Sequence, residues 1–152
     1  MPNIAVPYKY TTFSLPPSPA FPQGRVVHRP VVAVTLVNGQ KKFSCYAILD
    51  TGADYCAFPL PFAFPLDLDP LVAVADQSMG VGSYGVPTYF WDLVIQLRGT
   101  QLVFPAKVGF TEGLNTWGLG LLGQDGFFNR YSVNFDLCRS TSFQIIVPQP
   151  SS

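Results

Sequence analysis

Ala47-Ile48-Leu49-Asp50-Thr51-Gly52-Ala53-Asp54 is the stretch on which the reading of this 152-residue chain turns. An apolar run ends there in a carboxylate, a hydroxyl and a residue without a side chain. A carboxylate at the end of a buried strand is costly unless donors meet it, and Gly52 lets backbone N–H groups approach closely enough to do so. Thr51 adds a hydroxyl that has to find a partner if buried, which would stiffen the turn and hold the direction of the Asp50 carboxylate. The same three residue types are also ordinary turn formers. The triplet alone therefore does not separate a catalytic turn from a plain strand-to-turn junction.

The surroundings read as all-β. Residues 31–37, the pair Asn38-Gly39 and residues 41–49 spell a strand, a tight hairpin turn and a second strand. Tyr89, Trp91, Leu93, Ile95 and Leu97 alternate with Phe90, Asp92, Val94, Gln96 and Arg98, which predicts a strand with one apolar face. A further strand is expected over 101–108. Residues 132–137 and 142–147 flank Cys138-Arg139-Ser140-Thr141 as a last hairpin, whose exposed edges a partner subunit could cover. Helix is expected only over 125–131, for one or two turns with Asp125 as N-cap. Six prolines in the first 24 residues favour extended or polyproline backbone. The expected organisation is an extended arm over 1–24, one domain over 25–148 and a tail over 149–152.

Composition narrows the function classes. Hydrophobic residues at 48% against charged residues at 12% supply a core and exclude a disordered chain. Basic and acidic residues balance at nine each, so no global field favours nucleic acid or an anionic membrane. The longest apolar run, from Cys56 to Leu66, is too short to span a bilayer and is broken by three prolines, so no membrane span is expected. The N-terminal residues lack a secretory pattern, and a cytoplasmic location is the expectation. Cys45, Cys56 and Cys138 form neither a disulfide framework nor a zinc pattern and read as buried free thiols. His28 is the only histidine and sits on an expected surface strand, leaving a serine or cysteine nucleophile without a base. Two G-x-G-x-x-G matches, at 80–85 and 118–123, lack the strand-and-long-helix context of a dinucleotide site. Asp67, Asp69 and Asp76 lack the ligand-rich loop of a calcium site. No cofactor and no metal are expected.

With Ile48-Leu49 before it and Ala53-Asp54 after it, the Asp50-Thr51-Gly52 triplet resembles the active-site signature of retropepsin-like aspartic proteases, the single-domain family that includes retroviral proteases. Met79-Gly80-Val81-Gly82-Ser83-Tyr84-Gly85 is similar to that family's glycine-rich flap, and Gly120-Leu121-Leu122-Gly123-Gln124-Asp125-Gly126 to the element that supports its catalytic loop. The resemblance covers roughly residues 30–147. It implies an all-β retropepsin-like closed barrel or sandwich with one short C-terminal helix. It also implies Asp50 as the catalytic carboxylate, supported by Thr51 and Gly52. Ala53, Asp54, Gly80, Val81 and Gly82 would contact substrate, and Leu122, Gly123 and Asp125 would brace the catalytic loop. Tyr55 and Phe58 would shape apolar pockets. One departure is Gln124, where retroviral members carry an arginine that pairs with the carboxylate corresponding to Asp54. An amide donates a hydrogen bond but no charge.

Peptide hydrolysis by this mechanism uses two carboxylates, one activating water and the other polarising the carbonyl. None of the remaining acids is followed by Thr-Gly or Ser-Gly, so the chain holds one half-site. The implied assembly is a homodimer with the second Asp50 supplied by the partner, acting on an extended peptide or protein substrate. A catalytically silent dimerisation or peptide-binding module on the same fold stays open as the alternative.

Overall fold

The computed structural model describes residues 2–78 and 85–151. Twelve strands form among them: β1 (Ile4–Lys9), β2 (Thr11–Leu15), β3 (Arg25–Arg29), β4 (Val31–Asn38), β5 (Lys41–Leu49), β6 (Cys56–Pro59), β7 (Val74–Ser78), β8 (Val86–Leu97), β9 (Val103–Thr111), β10 (Gly120–Leu122), β11 (Ser132–Phe135) and β12 (Ser142–Val147). The chain divides into two compact units. One holds the residues up to Val31 and those from Arg130 onward, the other Val32–Asn129.

In the Val32–Asn129 unit the strands run β4-β5-β10-β6-β9-β8, and β8 pairs back onto β4, closing a six-stranded ring. Closure removes the free edges that an open sheet would expose. The length of β8 makes this possible. Its last residues pair with β4, as in Val34↔Leu97 and Leu36↔Ile95, while its first residues carry β7, as in Val74↔Phe90. Inward-pointing residues recur with the period of two that a strand imposes: Val32, Val34 and Leu36 from β4, Cys45, Ala47 and Leu49 from β5, and Leu93, Ile95 and Leu97 from β8. Each large aliphatic side chain buried this way contributes roughly 1.5–3 kcal/mol. The β4–β5 hairpin turns through Gly39 at φ +60°, a conformation glycine adopts without steric cost.

The proline-broken stretch after β6 folds as a 3-10 helix over Leu60–Leu66, with Ala63 and Leu66 buried and Phe62 against Phe43 at 4.8 Å. Phe64 stays exposed. The helix expected over 125–131 does not form; the segment is a run of turns. Gly126 sits at φ +106°, which no α-helix accommodates, and the N–H groups of Phe128 and Asn129 reach back five residues to the carbonyls of Gly123 and Gln124 at 3.1 and 3.0 Å. A Cβ on Gly126 would lie 3.0 Å from Ala106 Cβ and 3.2 Å from Cys56 Sγ, so close packing against β9 and β6 overrides helical propensity.

In the other unit β1, β12 and β11 form a three-stranded antiparallel sheet, and β2 pairs with β3. The proline-rich first residues are thus extended and hydrogen-bonded as strands. Phe143 centres the three-stranded sheet, with Tyr8 stacked on it at 5.4 Å and Tyr10 at 5.1 Å. Arg25 and Arg29 lie over the rings of Phe21 and Phe13 at 4.1 and 4.9 Å. His28 is on β3, its Nδ1 3.2 Å from Thr12 Oγ1 at the surface. No helix among the described residues is long and apolar enough to cross a membrane.

Candidate active site

The last residues of β5 are held on one side by β10, which runs parallel to them with Gly120↔Ala47, Leu121↔Ile48 and Leu122↔Leu49 in register. The ladder continues into the turn, because the N–H of Asp50 donates to the carbonyl of Leu122 at 3.0 Å. The chain then reverses. The N–H of Ala53 donates to the Asp50 carbonyl at 3.1 Å, and the N–H of Gly52 donates to Asp50 Oδ1 at 2.9 Å. Asp50 is half-buried, and a backbone donor of its own turn meets the carboxylate. A Cβ on Gly52 would lie 3.2 Å from that oxygen, tighter than most packing contacts, so the Asp50 carboxylate would have to shift by a few tenths of an ångström to admit it.

Past the turn, residues 53–55 run alongside residues 123–125. Gln124 N–H donates to the Ala53 carbonyl at 2.8 Å, Asp125 N–H to the Asp54 carbonyl at 2.9 Å, and Tyr55 bridges Asp125 in parallel. Gly123 permits this approach: a Cβ there would come within 2.4 Å of the Tyr55 carbonyl oxygen and 2.6 Å of that of Ala53, and backbone atoms cannot step aside. The Gln124 side chain adds a third tie, its Nε2 donating to the Thr51 carbonyl at 2.8 Å. Asp54, Gln124, Asp125, Phe128 and Asn129 line a concavity of about 490 Å³. Within it Asn129 Nδ2 donates to Asp125 Oδ1 at 3.3 Å, so the Asp125 carboxylate braces a side chain and caps no helix.

Cys56 lies fully buried behind this frame, its thiol 3.6 Å from the Asp125 carbonyl. Burial pushes its pKa up to about 11, a backbone hydrogen bond from Gly123 opposing and Asp125 adding to the rise. Cys45 is pushed up to about 12 by burial, with Arg98 opposing. Cys138, expected to be buried, is exposed on the turn between β11 and β12. Its surroundings there are polar, with Asp136 Oδ1 3.5 Å from its sulfur.

No family model and no curated protein matches the sequence. A solved structure matches the fold. The chain is similar to a retropepsin-like aspartic protease from Rickettsia conorii, at 14% identity and a TM-score of 0.56, over 92% of this chain and 96% of that one. The fold is retropepsin-like.

Within the retropepsin-like fold, Asp50, Thr51, Gly52, Ala53, Asp54, Leu122, Gly123 and Asp125 come together around one turn. Gly80, Val81 and Gly82 lie outside the described residues. Phe58, expected to shape a pocket, is fully buried against Phe110. It is a core residue because Gly120 leaves room for its ring: a Cβ on Gly120 would be 2.2 Å from Phe58 Cδ1. Tyr55 is half-buried, edge-on to Phe90 at 4.9 Å. Sequence reading, which ended this strand at residue 108, overlooked Gly109, where a Cβ would meet the Thr88 methyl at 2.6 Å inside β9. Asp67 and Asp69 do turn chemistry: Asp67 pairs with Lys41 at 3.3 Å, and Asp69 Oδ1 accepts from the Leu71 N–H at 3.0 Å.

Proposed function

We propose that the chain is one subunit of a homodimeric aspartic endopeptidase in which the Asp50 carboxylates of two copies share a proton and activate water between them. The observation that carries this reading is the Asp50 turn itself. A carboxylate is set at the end of a core strand, tied by backbone bonds to β10 and to its own turn, in a fold shared with a retropepsin-like protease. One carboxylate cannot serve as base and acid at once, and the sequence contains a single Asp-Thr-Gly. Thr51 and Gly52 are exposed, so a second copy has access to the turn.

In the proposed dimer a two-fold axis passes between the two Asp50 residues, and each Thr51 hydroxyl bonds across it. One carboxylate takes a proton from water as that water attacks the peptide carbonyl, and the other donates a proton to the carbonyl oxygen; the proton sharing belongs to the pair. Ala53 and Asp54 border the cleft, which takes an extended peptide by strand-like hydrogen bonds.

Mixing tests the shared site. Titrating wild type with an excess of Asp50→Asn chains is expected to lower cleavage beyond simple dilution, because mixed dimers carry one carboxylate. Activity that follows wild-type concentration alone would sink the shared site.

A further inference from the structure

We infer that Gln124 is a positioning residue that orients the Asp50 carboxylate through a single peptide plane. The inference deepens the proposed function and rests on it for its kinetic arm only. Gln124 Nε2 donates to the Thr51 carbonyl oxygen at 2.8 Å, and the Gly52 N–H donates to Asp50 Oδ1 at 2.9 Å. These are the two ends of one peptide unit, since the Thr51 carbonyl carbon is bonded to the Gly52 nitrogen. The unit is planar and its oxygen and hydrogen point in opposite directions. Holding the oxygen therefore aims the hydrogen. The sequence of contacts runs from amide N–H to carbonyl, through the peptide bond, to N–H and carboxylate, and each bond polarises the next.

The need for such a hold is local. Gly52 follows this peptide, and glycine lets the Thr51–Gly52 plane turn at little cost, which would withdraw the N–H from Asp50. The Gln124 backbone has little freedom, although its side chain is exposed. Its N–H is bound to the Ala53 carbonyl at 2.8 Å, and Gly123 before it is wedged against the carbonyls of Tyr55 and Ala53. Only the nitrogen of the amide can donate to a carbonyl, so the side chain is oriented by this bond. The function asked of residue 124 is thus that of a neutral donor, and a positive charge is not required for it.

Replacing Gln124 by glutamate keeps the shape and makes the donor depend on pH. Ionised, the new carboxylate faces the Thr51 oxygen with no hydrogen to offer; protonated, it can donate. In the Gln124→Glu variant, kcat relative to wild type is expected to be about tenfold lower near pH 6.5, with KM little changed, from loss of one well-formed hydrogen bond. The ratio is expected to return to within about threefold near pH 4, where a glutamic acid with an ordinary pKa of about 4.3 is protonated. Gln124→Arg, which keeps an N–H donor, is expected to stay within about threefold of wild type.

Amide exchange of Gly52 in the substrate-free protein supplies a readout that needs no activity. It is expected to be about tenfold faster in Gln124→Glu than in wild type near pH 6.5. A kinetic loss by the same factor at every pH, or an unchanged Gly52 exchange rate, would overturn the role of Gln124. A wild type without proteolysis would instead sink the proposed function, and the exchange comparison would still decide the role of Gln124.

Discussion

The N–H of Asp50 donates to the carbonyl oxygen of Leu122 at 3.0 Å, so the candidate carboxylate hangs from β10, a strand from the other end of the Val32–Asn129 unit. Leu122 is fully buried and pairs with Leu49. The turn is consequently only as well placed as β10 is, and β10 is placed by two glycines. Gly120 gives way to the Phe58 ring, and Gly123 lets the chain touch the carbonyls of Ala53 and Tyr55.

Gly120→Ala is expected to lower the unfolding free energy by about 1–3 kcal/mol, because its methyl would drive into a fully buried ring. Adding Phe58→Leu should restore part of that loss, with a coupling of about 0.5–3 kcal/mol in a double-mutant cycle measured by urea denaturation. Strict additivity would mean that the two residues do not oppose each other.

The three thiols should separate by exposure. With a thiol reagent near neutral pH, Cys138 is expected to react quickly, and Cys45 and Cys56 only on unfolding. Both buried thiols have pKa values raised from 9.0, to about 12 for Cys45 and about 11 for Cys56. The folded state therefore holds their protons more tightly than the unfolded chain does. The stability this contributes is complete below pH 9.0 and is lost as pH rises through about 11 and then about 12. Denaturation midpoints followed upward from neutral pH should begin to fall above that lower bound. A Cys45→Ala/Cys56→Ala double variant should show a shallower fall.

Tyr8 stacks on Phe143 while its hydroxyl is buried without a hydrogen-bond partner among the described residues, and burial raises its pKa. Tyr8→Phe keeps the ring and removes the orphaned group. It is expected to leave the unfolding free energy unchanged or raise it by about 1 kcal/mol. A loss of similar size would show that the hydroxyl is satisfied in solution.

Much of this was legible in the residues. The alternation of Leu93, Ile95 and Leu97 with a mixed set of neighbours marked β8, and Asn38-Gly39 marked the β4–β5 hairpin to within a residue, because both signals are local. The Asp50 turn was legible for the same reason: carboxylate, hydroxyl and glycine are contiguous. Segment 125–131 was misread because Asp125 looks like a helix cap, while what decides its backbone is the approach of Gly126 to Ala106 and Cys56, elsewhere in the chain. Phe58 was misassigned to a pocket for a similar reason. Its burial depends on the missing side chain of Gly120, and no spacing within one segment reveals that. Gln124 stood out as a departure from a charge pattern, but its bond to Thr51 could be found only once residues 123–125 were laid beside 51–55.

The most direct test of the central claim is cleavage of an unfolded protein such as casein between about pH 4 and 7, where a carboxylate pair can share one proton, by wild type and Asp50→Asn, each confirmed as a folded dimer by sedimentation. The account predicts fragments from wild type and none from the variant. Dimeric wild type that leaves casein intact across that range, or a variant that cleaves as well as wild type, would contradict it.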